Sequence, residues 1–159
     1  MQSTVNQNPH FNIEDVIEKN LRGEQLKNAK DLIAFLKTND ILPENTESDC
    51  WHYRNKALIV IHSYDYDDNM WFIYGNVENI EGFPINDELK EFVWKNVRIC
   101  SKCGCPGMPR GGNKTILGKE FENTCDCDIW FMNPDSETLE LFKKFMMLTK
   151  YNIDNNIPK

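Results

Sequence analysis

The sequence contains no run of five or more Lys or Arg residues. With a formal net charge of −7 and a pI of about 5.0, it repels a phosphate backbone overall. A nucleic-acid partner is therefore not expected. Nor does any apolar stretch approach the roughly 20 residues that a membrane-spanning helix needs; the longest, such as "ALIVI", are far too short, and no membrane partner is expected. The opening "MQSTVNQNPHFN" has neither the basic n-region nor the apolar h-region of a signal peptide, which points to a cytoplasmic location. There are three His residues and none after His62. A phosphate-binding loop, a nucleophile elbow and an H-E-x-x-H motif are all missing. The common signatures of nucleotide, hydrolase and zinc-protease chemistry are thus excluded, and a non-enzymatic role is favoured.

What is present describes an ordinary globular chain. Its 159 residues, 40% hydrophobic and 27% charged, suit one domain with a real core. Residues 1–11 read as a loose arm. Residues 12–97 read as helices plus a meander sheet, and 98–150 as a cysteine-rich segment with a final helix. Asn12 is placed to cap a helix bearing Ile13, Val16, Ile17 and Leu21 on one face. After a break at Gly23, the 3 and 4 spacing of Leu26, Ala29, Ile33 and Leu36 predicts a second helix over 24–37. "TNDILPENTESD" reads as a loop. "CWHYR", "KALIVIHSY" and "MWFIYGNV" read as three antiparallel strands. The two longer ones are apolar almost throughout, so a sheet covered on both faces is expected. Asn86 or Asp87 should cap a third helix with Leu89, Phe92, Val93 and Val97 on one face. "KTILGKEF" suggests a strand pair turning near Gly118, and "DIWFMN" another strand. Asp135 or Ser136 should cap a last helix carrying Leu139, Phe142, Phe145, Met146 and Thr149 on one side, with Glu140 and Lys144 paired on the wet side. Strands grouped between helices indicate an α+β fold.

The chemistry-bearing stretch is "CSKCGCPGMPRGGNKTILGKEFENTCDCD", which holds five of the six cysteines. In a cytoplasmic setting thiols stay reduced, so clustered cysteines point to metal or redox chemistry rather than to bridges. Cys100 and Cys103 form a C-x-x-C-G knuckle. Two intervening residues let both sulfurs converge on one zinc ion at about 2.3 Å, and the following Gly104 permits a turn of the backbone toward the thiolates. Cys125 and Cys127 follow at 22 residues from Cys103, close to the separation of a zinc ribbon, although C-x-C replaces the second C-x-x-C. The expectation is a structural tetrathiolate zinc site of Cys100, Cys103, Cys125 and Cys127, giving a cysteine-clamped, zinc-ribbon-like C-terminal segment. Cys105 is either an alternative ligand or a surplus thiol, with Lys102 and Arg110 near in sequence to favour its thiolate. A thiol-based redox or metal sensor, or an oxidoreductase working through Cys103, Cys105 or Cys125, is the alternative. An iron–sulfur cluster and plain unliganded thiols are weaker fits.

Other residues invite plainer accounts. Cys50 and His52 share a strand face, but an i, i+2 pair on a strand usually lies beyond hydrogen-bond reach and no third orienting residue is evident. Packing is the expected role. Asp65, Asp67 and Asp68 lack the Gly and distal Glu of a calcium loop and read as a solvated turn. The four Trp and the Tyr-rich strands are expected to fill a core more than to line a pocket.

The segments "ELKEFVWKNVRICSKCGC", "KTILGKEFENTC" and "NPDSETLELFKK" resemble a group of small cysteine-containing proteins of clostridia and related low-GC bacteria. The resemblance covers about Asn86 to Lys150. It implies a small cytosolic bacterial protein and brings no activity or catalytic residue. The sequence thus leads to a zinc-binding module that recognises a protein or small-molecule partner.

Overall fold

A computed structural model describes residues 12–45, 49–63, 69–77, 80, 84–100 and 111–155, with the backbone alone at 126–128. Its four helices are α1 (Ile13–Asn20), α2 (Gly23–Thr38), α3 (Asp87–Lys95) and α4 (Ser136–Asn155). Among the described residues seven strands are formed: β1 (Leu42–Pro43), β2 (Cys50–Tyr53), β3 (Lys56–Ser63), β4 (Trp71–Gly75), β5 (Val97–Ile99), β6 (Gly112–Ile116) and β7 (Lys119–Met132). All pairings are antiparallel, in the order β1-β2-β3-β4-β7-β5, with β6 also on β7. The α+β fold class is as the sequence indicates.

Caps start the helices where the sequence places them. Asn12 accepts from the Glu14 amide at 2.9 Å, Asn86 from that of Leu89 at 2.9 Å, and Asp135 from that of Thr138 at 2.8 Å. Gly23 marks the break before α2 with φ +56°, a left-handed value that glycine adopts without penalty. The buried faces of α2 and α4 include Ala29, Ile33 and Leu36, and Leu139, Phe142, Phe145, Met146 and Thr149. Each such side chain removed from water is worth about 1.5–3 kcal/mol for a full Leu- or Phe-sized group.

Three details differ from expectation. The loop 38–49 contains the short strand β1, and Pro43 is tolerated there because β1 is an edge. Glu140 pairs with Lys143 at 2.8 Å, while Lys144 reaches Glu88 of α3 at 3.5 Å. The sheet is also not equally covered on its two faces. Trp51, Tyr53, Ile59, Ile61, Trp71, Ile73, Ile129 and Phe131 point to the helical side and are buried. There Trp71 Nε1 donates to Gln25 of α2, Phe131 meets Phe92 of α3 and Phe142 of α4, and Tyr53 Oη donates to Asp154 of α4. Of the alternating residues, Leu58 and Phe72 are buried, whereas Cys50, His52, Val60, His62, Tyr74 and Trp130 are only half-buried. Met132 is 50% exposed. An apolar count misreads this face because Tyr and Trp bring large apolar bodies with polar tips.

The aromatic residues divide accordingly. Trp51 and Trp71 are core, as expected, whereas Tyr74 and Trp130 belong to the half-buried face.

Candidate functional site

The cysteine segment is built on β7. This strand runs through "KEFENTCDCDIWFM" without a break, and two shorter strands pair successive parts of it. In β5, Val97 faces Ile129 and Ile99 faces Thr124; in β6, Gly112 faces Thr124 and Ile116 faces Lys119. β5 and β6 are therefore two pieces of one interrupted strand. The turn from β6 into β7 uses Leu117 at φ +50° and Gly118 at φ +84°, the pattern of a two-residue hairpin turn that matches the twist of its strands. Trp94 of α3 fastens this hairpin by donating from Nε1 to the Ile116 carbonyl at 2.8 Å.

The two pieces come together tightly at residues 100 and 111. A Cβ built on Gly111 would lie 2.6 Å from the Cβ of Cys100 and 2.7 Å from the Asn123 carbonyl oxygen. Only glycine lets the chain rejoin the sheet there. Opposite the closure, Asn123 adopts φ +53° and both ladders shift register, so the long strand is bulged two residues before Cys125.

Cys100 and Cys125 are both half-buried thiols on neighbouring strands. They flank the Ile99–Thr124 pair, one residue to either side. In a regular ladder that would be a diagonal relation, but β7 is bulged around these positions. The two thiols thus belong to one bulged part of the sheet. Cys103 and Cys105 lie outside the described residues, as do the side chain of Cys127 and the Asp65–Asp68 turn. Among the described residues no three metal-ligating side chains are grouped.

Beside the cysteines, Arg98 lies over the Trp130 ring at 4.8 Å and the Tyr74 ring at 5.2 Å. Phe72 stacks on Trp130 at 5.8 Å. A cation over two aromatic faces stiffens this part of the sheet and holds β5 in place two residues before Cys100.

A second cluster occupies the β2–β3 end. Cys50 Sγ and His52 Nε2 are 3.3 Å apart, which corrects the expectation that they lie out of reach. The reason is a register shift between Trp51 and His52: Trp51 faces Ile59, but His52 faces Ala57. Such a bulge sharpens the local twist and re-aims a side chain. Beside this pair, Asp49 Oδ2 holds His62 Nδ1 at 3.0 Å. Burial pushes the Cys50 thiol up, and the charges of Asp49 and Glu44 push it further, so it rests protonated. Cys50, Ala57, Leu58, Val60, Tyr74 and Asn76 line a cavity of about 80 Å³. The sequence signal available for this site was the Cys-x-His spacing alone, and the bulge that completes it is not written in the spacing.

Comparison with protein-family models, curated proteins and solved structures gives no match for this chain. Among the described residues no helix is long and apolar enough to cross a membrane.

Proposed function

We propose that this protein is a zinc-stabilised, non-enzymatic binding or regulatory module of the cytoplasm. Cys100, Cys103, Cys125 and Cys127 hold one zinc ion, and Cys105 is surplus to that shell. The observation that carries the reading is the closure of one interrupted strand at Cys100 and Gly111, with Cys125 next to Thr124, the β7 residue that pairs with Ile99. A metal at this position spans the gap between β5 and β6 and fixes the two ends of the excursion. Four thiolates fill a tetrahedral shell and leave no open position, which suits a structural ion rather than a catalytic one. The partner is a protein or a small molecule; the acidic balance of the chain disfavours nucleic acid.

Elemental analysis of protein purified without chelator tests this. One zinc per chain, lost on replacing Cys100 or Cys125 by Ser, is the expected result. No metal near stoichiometry overturns it, and reversible oxidation of Cys103, Cys105 or Cys125 under mild peroxide would then favour a thiol-based sensor.

A further inference from the structure

Outside the cysteine-rich segment, one thiol and one imidazole stand in hydrogen-bond contact, and the thiol lines a shallow, mostly apolar pocket. Nothing in the zinc reading uses them. Cys50 and His52 are both half-buried on β2, with Sγ and Nε2 3.3 Å apart. A proton on Sγ and a lone pair on Nε2 satisfy that contact when the neutral imidazole carries its own proton on Nδ1. This is the arrangement in which a weakly ionised thiol is activated by an adjacent base.

We propose that Cys50 is a nucleophile, with His52 as its base, that accepts a short acyl group from small uncharged esters or thioesters. The step balances without a redox partner. Cys50 Sγ attacks the carbonyl carbon while its proton passes to His52 Nε2. The bond from that carbon to the leaving oxygen or sulfur then breaks, and His52 returns the proton to the leaving atom. The product is an acyl thioester on Cys50 and a neutral alcohol or thiol.

The surroundings select the acyl donor. The shallow pocket beside Cys50, about 80 Å³, is open to solvent and lined by Ala57, Leu58, Val60 and Tyr74, a lining that favours a short apolar acyl chain. Asp49 and Glu44 lie close enough to Cys50 to act on its charge, and they repel anionic donors. The same two carboxylates and the burial of the thiol disfavour a free thiolate. Without His52 the site is therefore expected to be a poor nucleophile, and the base has a measurable task. The neighbouring His62 is held by Asp49 at 3.0 Å, which keeps that carboxylate's hydrogen bond turned toward His62.

The test uses p-nitrophenyl acetate, a small uncharged acyl donor, on the full chain. Acetylated sites are located by peptide mapping after a brief exposure. We expect acetyl on Cys50 before Cys100 or Cys125, and a fall of about a hundredfold or more in the Cys50 rate with His52→Gln, while the rate at Cys125 is unchanged. An unmodified Cys50, or equal Cys50 rates in the wild-type chain and H52Q, overturns the proposal. Should H52Q fail to fold, the wild-type chain with and without urea decides. Cys50 must react faster folded than unfolded; an equal or slower folded rate overturns the proposal.

Discussion

Gly111 and Cys100 stand so close across the mouth of the 101–110 excursion that any β-carbon on residue 111 would meet the Cys100 Cβ at 2.6 Å. The Asn123 carbonyl oxygen, at 2.7 Å from the same point, blocks escape on the other side. Two backbone-borne obstacles cannot both yield by a rotamer change. Gly111→Ala should therefore cost about 1–3 kcal/mol, the usual range for overpacking, and lower the thermal midpoint by about 2–4 °C per kcal/mol for a chain of this size. Gly112→Ala is the control, because nothing lies within 4 Å of its added Cβ. Thermal unfolding of the two variants should separate them clearly. If zinc bridges the two ends of the excursion, G111A should also bind the ion more weakly than G112A.

The sequence carries the local parts of this fold well. Asn12, Asn86 and Asp135 are caps because short polar acceptors precede apolar residues at 3 and 4 spacing, and neighbours in the chain decide the outcome. The hairpin at Gly118 is equally local. β7 is not. Its central residues, "ENTCDCD", have little strand propensity, and they are drawn into β7, with a bulge at Asn123, because partners from residues 97–99 and 112–116 pair with the strand around them. Such non-local pairing leaves no periodic mark. The contact between Cys50 and His52 escaped for a related reason. It depends on a bulge created by how β2 registers against β3, whereas spacing along β2 alone describes a regular strand.

Asp135 gives α4 a pH-sensitive start. The Thr138 amide, with a further contribution from the Thr138 side chain, holds its carboxyl below the ordinary carboxylate range. A carboxylate depressed in the folded state adds stability above its unfolded pKa of about 3.9, and that contribution is lost as pH falls through the lower folded value. Asp135→Ala should cost about 1 kcal/mol at neutral pH by removing the cap. Asp135→Asn should keep most of the neutral-pH stability, since Asn caps nearly as well, yet lose the acid dependence. Urea midpoints at neutral pH and at about pH 3 for the three chains test both halves of the argument.

If the proposed zinc ion is bound, removing it should loosen the two parts of the chain in order. The helical layer and strands β2 to β4 share a continuous apolar cluster that includes Ile17, Leu32, Leu36, Trp51, Ile61 and Ile73. β6 contributes Ile116 to that cluster, while Gly112 and Asn113 are exposed. Hydrogen exchange with and without chelator should show faster exchange in β5, β6 and the first half of β7, with α1, α2, β3 and α4 unchanged at short times. A uniform rise across the chain would show that the ion supports the whole domain instead.

The last helix is tied back to the β2–β3 hairpin through Asp154. Tyr53 Oη donates to Asp154 Oδ1 at 2.7 Å, and Arg54, at 3.2 Å from the same oxygen, shares the carboxylate. Tyr53 is buried, and Lys150 lies over its ring at 4.9 Å. The hydrogen bond to Asp154 raises the Tyr53 hydroxyl above its ordinary range, burial adds to this, and Arg54 opposes it. The sign follows from the neutral form being the one that the fold prefers. Stability from this group is fully present below the unfolded tyrosine pKa of about 10 and is lost as pH rises through the higher folded value. Tyr53→Phe keeps the ring and its packing and removes only the donor. It should cost about 1 kcal/mol at neutral pH, the net worth of one hydrogen bond, and should remove part of the alkaline loss. Asp154→Asn leaves an acceptor for the hydroxyl but takes away the charge that Arg54 uses, so its neutral-pH cost should be smaller. Guanidinium unfolding at neutral pH and at about pH 10.5 distinguishes the cases. A Y53F chain as stable as wild type at neutral pH, with an unchanged alkaline slope, would mean that the Tyr53–Asp154 hydrogen bond adds nothing to the hold on α4.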